Sequence, residues 1–502
     1  MRKFLSILLV ASLPLLAAPS VAAQKQPADA TPAAVDNDRF ELYRAVVDRA
    51  TAEELRQQYD HDVLTSEPLN EAAPAGKVVV DVILSGVAAQ KLRAEGVKVQ
   101  LRRNDKGQTV TQAANAEIAA GQTVYRSYSE PGGIEDELRR TARRHPRITK
   151  LVTIGRSLRD QPILALKVTK NARHVPDGKR PAALYQGTQH AREWIAPEVT
   201  RRLMHHFIAA YGRNARMRRL INRNEFWFAP VVNPDGYDYT FTEDNRLWRK
   251  NLRDNDGDGQ ISASADGVDL NRNFPTNWGY DNEGSSPVPS SQVYRGTRPA
   301  SEPETRAQNR LMRRIGFNFL VNYHSAAELL LYGVGWQVDT PTPDDLIYRA
   351  LAGDDEEPAV EGFDPDLSAE LYTTNGETLD HAQTRHGILG FTPELTQCET
   401  VSDPDTCDSG FNFPDDETLI QEEFERNLSF AGHRALHARP RQPRVAPGQQ
   451  GARFQGRPLP SVVRQPADRG DDRRTRARAG AAALPRQRRP LGDQAHVGVA
   501  GR

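Results

Sequence analysis

Residues 183–207 read ALYQGTQHAREWIAPEVTRRLMHHF and contain two kinds of apolar pattern. The first is a short apolar run that ends at Gly187, which is typical of a buried strand. The second consists of Ile195, Val199 and Leu203, which recur at the spacing of one helix face. The stretch therefore predicts a strand followed by a helix, the repeating unit of α/β proteins.

Further apolar runs bounded by turn residues occur on both sides of this stretch, and helical segments separate several of them. We therefore expect an α/β fold over residues 125–437, with a mixed, mostly parallel twisted sheet flanked by helices. The predicted strands are PILALKVTK, RPAALYQG, EFWFAPVVN, FNFLVNYHS and GILGFTPEL; the predicted first and last helices are GGIEDELRRTARRHP and ETLIQEEFERNLSFAGHRALH.

The first 23 residues have the pattern of a secretory signal peptide. Arg2 and Lys3 precede an apolar run, and residues 21–23 offer the small side chains of a cleavage site. A membrane anchor is the alternative, but the run is shorter than the roughly 20 residues that a span requires. We therefore expect residues 1–23 to be removed and the protein to be secreted to the extracellular space.

Residues 24–124 contain a low-complexity linker followed by a second, smaller alternation of strands and helices. This alternation suits a small α/β sandwich with helices on one face. The segment contains no convincing cluster of catalytic residue types. It predicts either a pro-segment or a permanent accessory domain.

The chain has 502 residues, of which 66 are basic and 66 acidic, so one large catalytic domain and smaller pieces fit within it. Formal neutrality argues against a nucleic-acid partner, and we expect no membrane partner either. Residues 438–502 are rich in Arg, Pro and Gly and cannot bury enough apolar surface to fold. We expect a disordered tail there, or the product of a changed reading frame.

The chain has two cysteines, Cys398 and Cys407. In an exported protein, two cysteines this close are suited to closing a small loop by a disulfide. A zinc site is the alternative, but the spacing is longer than that of the usual thiolate pair. We therefore expect a disulfide between them.

Three predicted strands lead to His190, His324 and Glu394, whose side chains bind metals or transfer protons. Ligands bind at the carboxyl ends of strands in open α/β sheets, so these residues are expected to converge. His190 and Glu193 can face one ion, and His324 is the best third ligand for a zinc site. Asp269 can accept a hydrogen bond from the second ring nitrogen of a ligand histidine. Taken alone, a histidine at a strand end is more often structural, and Asp269 fits an ordinary turn equally well.

Several motifs then occur in a fixed order: HAREW, NPDGYDYTFTEDNRLWRKN, GVDLNRNF, NYHS, LYTTNGETLDH and GFTPEL. In this order they resemble the zinc metallocarboxypeptidases of the carboxypeptidase A/B type, the M14 or funnelin family. The resemblance covers about residues 125–435. It implies a secreted exopeptidase, made as a proenzyme, that hydrolyses C-terminal peptide bonds with a zinc-activated water.

The resemblance also implies roles for matching residues. His190, Glu193 and His324 would hold one catalytic zinc, and Glu394 would be the general base. A planar arginine fork suits a terminal carboxylate because it donates two hydrogen bonds. The remaining roles would be oxyanion stabilisation by Arg249, carboxylate binding by Asn271 and Arg272, closure over the terminus by Tyr372, and contacts in the inner subsites by Arg192 and Arg246.

An insertion, DNDGDGQI, interrupts the family pattern and resembles the first half of a calcium loop. Asp254, Asp256 and Asp258 occupy ligand positions in it. Ala265 stands where the usual glutamate would be, and Asp266 is a substitute. The pattern favours a calcium site over a solvated acidic loop.

The specificity of the chain is predicted from Leu379. Family members that prefer basic C-terminal residues carry an aspartate at the matching position, so Leu379 implies an apolar or broad preference, although Asp380 lies beside it. Ala326 replaces a tyrosine of the animal enzymes, which implies altered inner subsites.

Two other functions remain open: a zinc amidase on cell-wall peptides, and an inactive family member that binds peptide termini. Glu394 and the intact ligand set argue against the inactive member. Asn271, Arg272 and Tyr372 favour substrates with a free α-carboxylate. We therefore expect a monomer that acts on peptides or proteins with a free C-terminus and is activated by a protease.

Overall fold

The computed structural model describes residues 38–59, 63–68, 76–339, 341–396, 411, 413 and 415–434. The predicted signal peptide, both cysteines and the predicted C-terminal tail lie outside these residues. Within them the chain forms a four-stranded sheet and an eight-stranded sheet. Among the described helices, none combines the length and the apolar composition needed to cross a membrane.

The smaller sheet is antiparallel and carries helices on one face. Leu55 and Leu92 from the helices pack with Val80 and Val82 of the sheet. The elements are β1 (Phe40–Asp48), α1 (Arg49–Tyr59), β2 (Val63–Pro68), β3 (Lys77–Ser85), α2 (Gly86–Ala94), β4 (Val99–Leu101) and α3 (Val110–Ala120). The sheet order is β2-β3-β1-β4.

Helix α3 follows the last strand of the smaller sheet and leads to the larger domain. Its start is fixed by a capping box: the Gln112 backbone donates to the Thr109 hydroxyl at 3.2 Å, and the Thr109 backbone donates to Gln112 Oε1 at 3.1 Å. This pairing satisfies two amides that the first helical turn would otherwise leave unbonded. The alanine-rich stretch that follows has high helix propensity.

The larger domain contains the remaining elements. The strands are β5 (Thr149–Arg156), β6 (Pro162–Val168), β7 (Ala182–Gly187), β8 (Glu225–Ala229), β9 (Phe319–Ser325), β10 (Leu329–Tyr332), β11 (Asp364–Leu367) and β12 (Leu389–Leu395). The helices are α4 (Ile134–Arg144), α5 (Ile195–Arg213), α6 (Ala215–Arg223), α7 (Pro234–Tyr239), α8 (Pro303–Ile315), α9 (Asp345–Ala352), α10 (Ser368–Leu371), α11 (Thr378–His386) and α12 (Glu417–Ser429).

The eight-stranded sheet has the order β11-β10-β12-β9-β7-β8-β6-β5. Its four central strands, β12, β9, β7 and β8, are parallel to one another, and β6 and β5 continue it antiparallel. This mixed sheet confirms the predicted fold class. Three of its outer strands were not predicted: β10 and β11 are only four residues long, and the face of β5 is incompletely buried.

Helices cover both faces of the larger sheet, as its apolar strands require. Tyr185 and Leu184 are neighbours on β7, but they belong to two different core clusters on opposite faces. On one face, Phe207 of α5 packs against Tyr185, with ring centres 6.0 Å apart. On the other, Leu311 of α8 packs with Leu184. The sheet is therefore a buried and rigid support for the loops at its strand ends.

Candidate active site

His190 and Glu193 lie on the turn between β7 and α5. The helix begins at Ile195, the first residue of the predicted helix face, so neither residue is on a regular helical turn. The left-handed conformation of Thr188, with φ of 59°, redirects the chain after the strand. The Glu193 amide donates to the His190 carbonyl at 3.4 Å, which brings both buried side chains to the same side of the turn.

His324 and Glu394 come from the two strands next to β7 on one side. Strands β7, β9 and β12 are consecutive and parallel, and His324 on β9 is the register partner of Glu394 on β12. Gln186 on β7 is in register with Asn322 on β9, two residues before His324. The carboxyl ends of these strands thus meet at one edge, as the sequence predicted.

The side chains of His190, Glu193 and His324 converge on a common point. His190 Nδ1 lies 2.7 Å from Glu193 Oε1 and 3.0 Å from His324 Nδ1. His324 Nδ1 lies 3.2 Å from Glu193 Oε2. One ligand atom from each residue lies within 4.8 Å of the other two, so a single metal ion can be shared by all three.

The chemistry of this group fits zinc. His190 Nε2 faces Asp269 Oδ1 at 3.2 Å, and because a carboxylate only accepts, Nε2 carries the proton and Nδ1 presents a lone pair to Glu193. A lone pair and a carboxylate oxygen at 2.7 Å repel each other unless a proton or a metal ion lies between them. Burial lowers the pKa of His190, which disfavours a proton in that position. Two imidazoles and one carboxylate form a ligand set of catalytic zinc sites.

Asp269 connects the ligand histidine to two other candidate residues. Its Oδ1 accepts from the Asn271 amide at 2.8 Å as well as from His190, and its Oδ2 accepts from Arg249 Nη2 at 3.0 Å. Burial raises the pKa of Asp269, but Arg249 and His190 outweigh it and hold that pKa well below its usual range. The ionised carboxylate therefore fixes His190, Arg249 and the start of the Asn271 turn together.

Replacing Asp269 with Asn is expected to weaken zinc binding about 10- to 100-fold, because the amide cannot orient the ligand imidazole as a carboxylate does. Competition with a metal-sensing chelator measures the effect. The Asp160→Asn variant is the control, since Asp160 is exposed and asparagine tolerates its positive φ of 64°. Unchanged zinc affinity in Asp269→Asn would show that the carboxylate has no such role.

Asn271 and Arg272 lie on the turn that follows Asp269. The Thr378 amide and hydroxyl donate to Asn271 Oδ1 at 2.9 and 2.7 Å, so Asn271 presents its amide nitrogen as a donor. Arg272 is buried, its Nη1 donates to the Asn271 carbonyl at 2.9 Å, and its Cζ lies 6.0 Å from the centre of the Tyr372 ring. The turn therefore offers several donors suited to a carboxylate.

One cavity joins these donors to His190, one of the three candidate metal ligands. Its lining includes His190, Asn271, Arg272, Tyr372 and Glu394, and we refer to it as the Arg272 cavity. Burial raises the pKa of Glu394 to about 7, with His324 lowering it and Glu193 raising it. A carboxyl group with a pKa near neutrality is suited to accept and return a proton.

Three of the predicted substrate-binding residues do not line the Arg272 cavity. Leu379 is 2% exposed and belongs to the core cluster that contains Ile388. Arg246 is buried against Trp194, with Cζ 3.8 Å from a ring centre, and donates to the Arg192 carbonyl at 2.8 Å. The Arg192 guanidinium is likewise buried and lies 4.4 Å from the ring centre of Phe411.

A buried amide network behind the site was not predicted. Asn322 Nδ2 donates to Gln189 Oε1 at 2.7 Å, and Gln189 Oε1 lies 3.2 Å from His324 Nε2. Gln189 Nε2 donates to Thr378 Oγ1 at 2.8 Å, and Thr378 holds Asn271. The network thus links a metal ligand to a carboxylate-binding residue. Its only sequence signal is that Gln189 directly precedes His190 and Asn322 lies two residues before His324.

In the acidic insertion, the carboxylates that lie together differ from the set predicted from the sequence. Carboxylate oxygens of Asp254, Asp256 and Asp266 lie within 4.8 Å of one another, whereas Asp258 is not part of this group. Asp258 instead accepts from the Gln260 amide at 2.7 Å. Calcium at this loop stays a prediction.

Comparisons with known proteins identify the family of the chain. The family model for zinc carboxypeptidases, Peptidase_M14, matches residues 134–429. Mast cell carboxypeptidase A of Rattus norvegicus is 30% identical over 275 residues, which cover 53% of this chain and 63% of that protein. Metallocarboxypeptidase A of Trichophyton rubrum is 29% identical over 345 residues, covering 65% of this chain and 76% of that one.

The fold is shared with a solved structure, carboxypeptidase A from Helicoverpa armigera, at a TM-score of 0.59 and 23% identity, covering 80% of this chain and 98% of that chain. The matched region spans less than two thirds of the length of the rat relative. The family match itself covers more than half of the chain and contains every motif on which the sequence resemblance rested. The chain therefore belongs to the zinc carboxypeptidase family.

Proposed function

We propose that this chain is a zinc-dependent metallocarboxypeptidase that removes C-terminal residues from peptides and proteins. The observation that carries the proposal is the shared cavity: a ligand histidine, a carboxyl base and a buried arginine face one space in His190, Glu394 and Arg272. A buried arginine in the same cavity suits the free carboxylate of a chain end, which a hydrolase that cleaves inside chains does not need to bind.

Zinc, when bound, supplies a Lewis acid that polarises the scissile carbonyl and makes water more acidic. Ionised Glu394 takes a proton from the attacking water and passes it to the leaving amine. Arg249, held in place by Asp269, provides positive charge where the carbonyl oxygen becomes negative. Removing one such donor costs about 3 to 4 kcal/mol in comparable sites.

Replacing Arg272 with Ala is expected to lower kcat/KM for peptides with a free C-terminus roughly 100-fold. The reason is that two charge-assisted hydrogen bonds to the carboxylate, together about 3 kcal/mol, are lost. Steady-state kinetics on a short peptide measures it. The Arg298→Ala variant is the control, because Arg298 is exposed.

Peptides that differ only in a free or an amidated C-terminus test the proposal directly. A carboxypeptidase hydrolyses the free form, and the preference for it shrinks in Arg272→Ala. Equal hydrolysis of both forms by the parent protein would refute carboxypeptidase activity. Binding of the free form without hydrolysis would instead support the inactive family member.

Residues 24–124 are proposed to be a pro-segment of a secreted enzyme. Described residues of this segment contact the loop that carries Arg249: Arg39 forms an ion pair with Asp244, and the Phe40 ring lies 5.9 Å from that of Trp248. Sequencing the N-terminus of the secreted protein tests both parts of this proposal. A mature start near residue 24 would identify an accessory domain, and retention of residue 1 would argue against export.

A further inference from the structure

The wall of the Arg272 cavity carries a carboxyl group that the proposed mechanism does not use. Glu377 lines the cavity beside Arg272, although only 5% of it is exposed. Among the described residues, none forms a hydrogen bond with Glu377 Oε1. The Thr374 hydroxyl is close enough to favour the ionised form of Glu377, but it too makes no bond of regular geometry within the described chain. A buried acceptor without a donor is unfavourable unless a ligand supplies one.

A second carboxyl group stands behind the first. Asp380 is 1% exposed, and its Oδ1 accepts from the Gly335 amide at 3.1 Å. Its Oδ2 has no hydrogen-bond partner among the described residues. Burial raises the pKa of Asp380, and the neighbouring Glu377 raises it further. Two neighbouring carboxyl groups repel each other when both are ionised, and a cation bound beside them would relieve that repulsion.

Gly335 keeps this acidic wall uncovered. A Cβ at this position would lie 2.5 Å from Glu377 Oε1 and 2.2 Å from Thr374 Oγ1. Any other residue would therefore displace or cover the carboxyl oxygen. The backbone of the same residue binds Asp380, so one glycine holds the rear carboxyl and exposes the front one.

Arg272 does not neutralise Glu377 when a substrate is bound. Burial raises the pKa of Glu377, and Arg272 opposes that shift by favouring the ionised form. In the proposed function, however, Arg272 is engaged by the terminal carboxylate of the substrate. Glu377, which lines the cavity, then remains for the side chain of the same terminal residue, with Asp380 behind it. The lining residues Leu331 and Leu371 provide apolar surface for an aliphatic stem.

We propose that Glu377, backed by Asp380, is the specificity-determining group of the cavity and binds the side-chain cation of a C-terminal lysine or arginine. This inference rests on the proposed carboxypeptidase function. It differs from the apolar preference expected from Leu379, because that side chain packs in the core and does not reach the cavity. An apolar terminal side chain would bury the two carboxyl groups without partners.

Binding of matched peptides tests the inference without depending on turnover. The probe pair ends in lysine or in norleucine, which has the same stem without the charge. Calorimetry uses the zinc-loaded full chain carrying Glu394→Gln, so that neither peptide is hydrolysed. The lysine peptide is expected to bind at least about tenfold more tightly, because it gains charge-assisted hydrogen bonds. Equal affinity, or tighter binding of norleucine, would overturn the inference.

Adding Glu377→Gln to the same chain is expected to abolish the preference for lysine while leaving norleucine binding nearly unchanged. If Glu377 only positioned Arg272, both peptides would lose affinity equally, and that outcome would overturn the inference. Glu356→Gln is the control, since Glu356 is exposed. An amidated lysine peptide separates the two proposals: if it binds as well as the free form, the proposed function fails, whereas the lysine-to-norleucine ratio still tests Glu377. Should Glu377→Gln not fold, the parent comparison of the two peptides still decides.

Discussion

Replacing Glu394 with Gln is expected to lower kcat by about 10²- to 10⁴-fold, the usual contribution of a positioned general base. Glutamine has nearly the same shape but cannot take a proton from water. Glu394 is the register partner of His324 on the neighbouring strand, so the base is held beside a metal ligand by the backbone of the sheet. The substitution should therefore leave the position of the side chain and the binding of zinc unchanged.

The measurement is kcat together with the zinc content of the purified variant. Glu422→Gln is a matched control because Glu422 is an exposed carboxyl on α12. Near-normal turnover in Glu394→Gln would show that another group transfers the proton. Loss of zinc would instead assign Glu394 a role in holding the metal.

The pH dependence of kcat/KM for the parent protein should report the ionisation of Glu394. Glu394 acts as a base only when ionised, so kcat/KM is expected to rise as the pH increases through the pKa of Glu394. Burial raises that pKa to about 7, and a zinc cation, when bound, lowers it by favouring the ionised form. We therefore expect an acid limb below pH 7 that is absent from the residual activity of Glu394→Gln. If the parent and Glu394→Gln show the same acid limb, the ionisation belongs to another group.

The main architecture of the site follows from the sequence because parallel strands have a defined direction. Apolar runs that lead to His190, His324 and Glu394 predict that these residues meet at one sheet edge. The structure places β7, β9 and β12 side by side, which brings them together. Predicting this convergence required only that each apolar run forms a strand that ends near its functional residue, and that is a local feature of the sequence.

Contacts that involve three separate segments of the chain could not be predicted from the sequence. Asp269 was expected to hold one histidine, and it also binds Arg249 and the Asn271 amide. The direction in which an individual side chain points could not be predicted either. Glu377 lies at the residue before α11 and lines the cavity, whereas Leu379, two positions further, packs in the core. Neighbouring positions on a helix differ by about 100° in direction, so a motif position does not identify the wall of a pocket.

Replacing His324 with Ala is expected to remove both zinc and activity, the largest effect of any single substitution discussed. Catalytic zinc sites use three protein ligands, and in this variant only His190 and Glu193 remain. No other described histidine, cysteine or acidic residue belongs to this ligand group, so none is placed to take over. Activity should fall to the level of the chelator-treated parent, and added zinc should restore the parent but not the variant.

Thermal unfolding gives a readout that is independent of catalysis. Zinc at about 1,000 times its Kd stabilises a protein that binds it only when folded by about 4 kcal/mol, so the melting temperature of the parent should rise with zinc. His324→Ala should show little of this rise, because its two remaining ligands bind the ion weakly. His174→Ala is the control, since His174 is exposed and far from the ligand group in sequence. A full zinc-dependent rise in His324→Ala would mean that the ion binds elsewhere, and the three-residue site would have to be abandoned.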